Sequence, residues 1–186
     1  MVTDSNINSR NSIIIILLAL VALFRLIPVE YRLPNFTPMG AIALFSGAFI
    51  FQKRLSLALP LIILLVTDVI LQLGGQQGFY LLMPWVYGTF FLITLLGRLI
   101  QKLQRGYSSI VFTMVAPLFS SFLFFFITNF GVWIMGTGHS GSSLVLCYVD
   151  AIPFYKGTVL GDVFYSVLLF LSFSVIRWRF PKHTVA

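Results

Sequence analysis

Asp68, Asp162 and Arg25 each stand within a long run of apolar residues, where a charge needs a partner or a water-filled cavity. Two chemistries fit them. Arg25 and one aspartate can form a structural ion pair that fixes helix register. Alternatively, the carboxylates can line a polar cup and hold a small ligand, with Arg25 balancing charge. At about 1.5 Å of rise per residue, Asp68 is expected roughly 8 Å below the turn at Gly74, and Asp162 roughly 13 Å below Pro153.

Other polar residues fall on the same faces. Gln72 lies one helical turn beyond Asp68, Trp133 one turn beyond Asn129, and Thr158 one turn before Asp162. With Asn35, Tyr80, Trp85, Tyr87, His139 and Tyr148 they make a candidate cup. Aromatic rings with a polar tip suit a flat or ring-bearing ligand, although Trp and Tyr also serve as anchors at membrane surfaces. An amine or ring nitrogen on an apolar body would match this set. His139 has no second histidine at ligand spacing, and Cys147 is a single thiol, so neither a metal site nor an internal disulfide is expected. The sequence carries no phosphate-binding loop with a following Lys-Ser/Thr pair, so nucleotide hydrolysis by that route is not expected; no cofactor is expected either.

The elements that position these residues must be membrane helices. Of 186 residues, 59% are hydrophobic and 9% charged, more apolar surface than a soluble domain of this length can bury. Period-two alternation is lacking, and a spanning helix needs about 20 mainly apolar residues, so an all-α, six-helix transmembrane bundle is predicted. The expected helices cover 13–28, 38–51, 55–73, 84–102, 108–133 and 154–176, within one domain at 13–176. A polar segment at 1–12 precedes it, and a basic tail at 177–186 follows. Pro38 suits the first position of the second helix, with Asn35 or Thr37 as its cap. Gly40, Ala43 and Gly47 give that helix a face almost without side chains, and Gly157 and Gly161 do the same for the sixth. Both faces predict close helix packing.

The net charge of +7 would suggest nucleic acid in a soluble protein. Here the basic residues sit at the ends of apolar runs, which points to topology and to no nucleic-acid partner. Arg10, Lys53, Arg54, Arg98, Lys102, Arg105, Arg177, Arg179 and Lys182 would share one side, against Arg25, Arg32 and Lys156 on the other. The positive-inside rule then places both termini in the cytoplasm, with loops 1, 3 and 5 outward.

The phrases Asn35-Phe36-Thr37-Pro38, Asn129-Phe130-Gly131-Val132-Trp133 and Ile152-Pro153-Phe154 resemble an uncharacterised family of small bacterial six-helix membrane proteins. The overall layout resembles the substrate-binding S components of energy-coupling-factor (ECF) vitamin transporters. That resemblance implies an inner-membrane uptake protein whose loops 1, 3 and 5 cap a vitamin-like ligand. It also implies an ECF-type transmembrane coupling subunit, with ATPases, docked on small residues of helix 1. The alanine-xxx-alanine motif expected for docking is missing: Ala19 and Ala22 are three apart, so a solitary version stays open. Two other readings remain. An intramembrane enzyme would share a proton between Asp68 and Asp162, and a non-catalytic subunit or assembly factor would use its charges structurally.

Overall fold

A computed structural model describes residues 4–103, 111–138 and 143–179. Within them lie six α-helices and no β-strand: α1 (Asp4–Ala22), α2 (Met39–Phe49), α3 (Lys53–Leu73), α4 (Met83–Leu103), α5 (Ala116–Ile134) and α6 (Leu144–Arg179). Short 3₁₀ turns at Leu23–Leu26 and Val29–Tyr31 carry the chain from α1 towards α2, and a π-turn at Val111–Val115 leads into α5. Four segments, Lys53–Leu73, Met83–Lys102, Thr113–Ile134 and Leu144–Ile176, are long and apolar enough to cross a membrane. This is the pattern of a membrane protein.

The other two helices depart from the predicted spans in instructive ways. α1 begins at Asp4, so part of the polar lead-in is helical. Its buried positions Asn11, Ile14, Leu18, Val21 and Ala22 recur at three and four and form one inward face. α2 has only eleven residues, all buried. Its rise of about 16 Å is roughly half the hydrocarbon thickness, so α2 forms the centre of the bundle and touches each of the other five helices.

Glycine makes this central packing possible. A Cβ on Gly47 would strike the Thr94 carbonyl of α4, and a Cβ on Gly97 would strike the Leu44 carbonyl of α2. The two backbones therefore lie in direct contact, with Ala43 fully buried between neighbours. Neither Asn35 nor Thr37 caps α2. Pro38 is itself the cap residue, and its carbonyl accepts the Ile42 N–H at 2.9 Å. At the other end Arg98 of α4 donates to the Ile50 carbonyl at 3.4 Å and to Ser56 Oγ at 2.6 Å.

α6 starts at Leu144, ten residues before the predicted start, and runs through Pro153. A proline inside a helix removes one hydrogen bond and crowds the preceding turn. Here packing on α5 holds the early turns in place: Tyr148 donates its hydroxyl to the Phe126 carbonyl at 2.7 Å, and Cys147 Sγ lies 3.5 Å from the Asn129 carbonyl. The predicted start of the fifth helix at 108, His139, Arg105 and the tail beyond 179 lie outside the described residues.

Candidate functional site

The 3₁₀ turn after α1 swings Arg25 towards α3. Its Nη2 donates to Asp68 Oδ1 at 2.5 Å, and its Nη1 donates to Thr67 Oγ1 at 2.7 Å. From α4, Tyr87 donates its hydroxyl to Asp68 Oδ2 at 2.7 Å. Both carboxylate oxygens are thus occupied; Asp68 is buried and Arg25 only partly so, with side-chain exposures of 1% and 12%. This cluster ties three chain segments together at zero net charge.

Asp162 stands in a different setting. Its Oδ2 accepts from Ser121 Oγ at 2.8 Å and from Ser120 Oγ at 3.4 Å, both on α5. On the other side the carboxylate presses against Gly40 at the start of α2, where a Cβ would overlap it. The partly positive N-terminus of α2 is a favourable neighbour for a carboxylate. Asp162 has 3% relative exposure, and among the described residues no lysine or arginine pairs with it. Asp68 and Asp162 share no hydrogen bond; each has its own partners.

A cavity of about 650 Å³ joins the two settings. Arg25, Asn35, Thr158 and Asp162, from the predicted set, line it, as does Tyr80. Its apolar wall includes Met39, Leu64, Val86, Phe90 and Phe124, and its polar rim includes Glu30, Arg32, Gln76 and Gln77. Loop 1 and loop 3 supply that rim. Arg32 donates to the Ile27 carbonyl at 3.0 Å, and burial followed by the neighbouring Arg25 charge holds its guanidinium below the ordinary value. Burial, reinforced by the Asp68 carboxylate, raises the Tyr80 phenol above its usual pKa, against a lowering by Arg25.

The rim is anchored by the sixth helix. Gly157 meets the Pro34 carbonyl and Gly161 meets Thr37, so the small-residue face of α6 receives loop 1 where packing against another helix was expected. Asn35 at the loop's tip has φ 60°, a left-handed conformation that asparagine tolerates better than most residues.

The remaining predicted residues lie elsewhere. Gln72 accepts the Gly78 and Phe79 N–H groups at 3.2 and 3.3 Å, folding loop 3 back onto α3. Trp85 covers Gly131 of α5 so closely that a Cβ there would enter its ring. Trp133 is 41% exposed and contacts Phe130. Asn129 lines a second cavity of about 460 Å³ with Cys147 and Asp150, and its amide donates to the Phe125 carbonyl at 2.7 Å. Among the described residues, no three His, Cys, Asp or Glu side chains come together as a metal site. The sequence reading missed Ser120 and Ser121 as the partners of Asp162; an adjacent hydroxyl pair inside a Phe-rich helix was the available signal.

Residues 5–183 match a family model described as a family of unknown function, DUF6580. The chain belongs to the DUF6580 family. No curated protein and no solved structure matches it. The family match covers both the Arg25–Asp68 cluster and Asp162, so the cavity lies wholly within the DUF6580 region.

Proposed function

We propose that this chain is a membrane binding and uptake protein for a small organic micronutrient, similar in role to the S components of ECF vitamin transporters. The observation that carries this reading is the cavity of about 650 Å³ beneath loops 1 and 3. Its volume falls in the range of small-molecule sites, and it combines an apolar wall with a few convergent polar groups.

In this reading the protein is a six-pass protein of the bacterial inner membrane with both termini in the cytoplasm. α2 crosses enclosed by its neighbours, where irregular backbone at its ends is tolerated. Loops 1 and 3 face outward and close over the ligand. The exposed side chains Ile16, Ala19 and Leu20 on α1, with Leu23 in the 3₁₀ turn after it, offer a surface to an ECF-type coupling subunit, and a solitary uptake protein would turn the same surface to lipid.

Native mass spectrometry of the protein gently extracted from its own membranes tests the proposal. A discrete small-molecule adduct, lost when Phe90→Trp narrows the cavity, is the expected result. Large membrane partners with no adduct would overturn it in favour of a subunit or assembly role.

A further inference from the structure

We infer that Asp162, and not Asp68, is the subsite for a protonated amine on the ligand; this rests on the uptake reading above. The two aspartates differ in what they have left to give. Asp68 spends Oδ1 on Arg25 and Oδ2 on Tyr87, and its charge is cancelled at 2.5 Å. Asp162 takes both of its hydrogen bonds on Oδ2, from two neutral serines, and Oδ1 accepts none from the described residues. With 3% exposure and no cation beside it, Asp162 is a buried, uncancelled carboxylate in the cavity wall, whereas Glu30 sits exposed at the rim. An ammonium brings the missing charge and a donor together, and charge-assisted bonds of this kind are stronger than neutral ones.

The surroundings specify the rest of the ligand. Phe90 and Phe124 line the same space, with Met39, Leu64 and Val86 completing an apolar wall. A flat aromatic body on a short alkyl arm would rest on that wall while its ammonium meets Asp162. Arg25 and Arg32 also line the cavity. The first is neutralised by Asp68; the second, at the rim, spends donors on the Ile27 and Phe36 carbonyls and has the Glu30 carboxylate as an opposite charge on the same rim. Gly40 has a part in this: a side chain there would displace the carboxylate from its seat.

Tryptamine, with tryptophol as its neutral and indole-3-propionate as its anionic counterpart, provides the test. Each would be titrated against the full-length protein in nanodiscs by calorimetry at pH 7. Tryptamine should bind at least ten-fold more tightly than either counterpart. Asp162→Asn should reduce tryptamine to the tryptophol level while leaving tryptophol binding intact, which also shows that the variant is folded. Asp68→Asn should keep the preference for the amine. Binding of tryptophol or indole-3-propionate at least as tight as tryptamine would overturn the amine subsite yet preserve the uptake reading. Undiminished tryptamine binding by Asp162→Asn would do the same. Absence of binding by all three to wild-type protein would overturn the amine subsite, and, together with no adduct in the native spectrum, would overturn the uptake reading as well. Should Asp162→Asn fail to fold, the ranking of the three probes on the wild type still decides.

Discussion

Arg25→Met should destabilise the fold more than Asp68→Asn, because the two partners differ in their access to water. Methionine keeps the aliphatic bulk but withdraws two donors, leaving Asp68 with the Tyr87 hydroxyl alone. At 1% exposure that carboxylate cannot hydrate, and an uncompensated buried charge costs about 3–5 kcal/mol. Asp68→Asn instead leaves Arg25 unpaired beside the cavity, where water can reach it. The loss is then that of a charge-assisted hydrogen bond, about 1.5–3 kcal/mol. The double variant Arg25→Met/Asp68→Asn contains no unpaired charge, and its asparagine still accepts from Tyr87. It should recover about 2 kcal/mol of the summed single losses. Equilibrium unfolding in mixed micelles, followed by near-ultraviolet dichroism, reads all four proteins. Residual contacts in the micelle-bound unfolded state will move the values towards the lower ends of these ranges. Strictly additive losses would refute the ion pair, and a larger loss for Asp68→Asn would refute the solvation reasoning.

Three further outcomes follow from the packing. Gly40→Ala places a Cβ on the Asp162 carboxylate and should cost about 1–3 kcal/mol in the same unfolding assay, with a smaller cost in an Asp162→Ala background. Gly157→Val should push the Pro34 carbonyl away and lift loop 1 off α6; trypsin should then cut after Arg32 in the variant faster than in the wild type. Trp85→Ala should lose about 3 kcal/mol through its contact with Gly131, whereas the exposed Trp133→Ala should stay within about 0.5 kcal/mol of wild type.

The long apolar runs made α3, α4 and most of α5 legible, since length and composition nearly dictate a membrane helix. The pairing of Arg25 with an aspartate was legible too, because an immersed charge demands a partner. Which aspartate was not, since that depends on how the 3₁₀ turn after α1 aims Arg25 at α3. Proline misled at α6: Pro153 looks like a helix start, yet contacts of Cys147 and Tyr148 with α5 carry the helix past it. Helical periodicity put Gln72 and Trp133 on faces with Asp68 and Asn129, but it says nothing of where each side chain goes. Gln72 turned to its own loop, and Trp133 turned outward. The glycines of α6 announced a close approach, though not that a loop would make it.

The burial of α2 on every side bears on the order in which the chain is assembled. A helix of about 16 Å cannot hold itself across a bilayer as an independent insertion unit, and the Ile50 carbonyl at its C-terminal cap finds Arg98 only once α4 exists. In the six-pass reading, insertion of the first two helices is therefore provisional until α4 arrives, and the core of the protein is laid down before the walls that hold it. Chains truncated ahead of α4 should show mixed placement of the loop before α2 by glycosylation mapping, and chains that include α4 a single one.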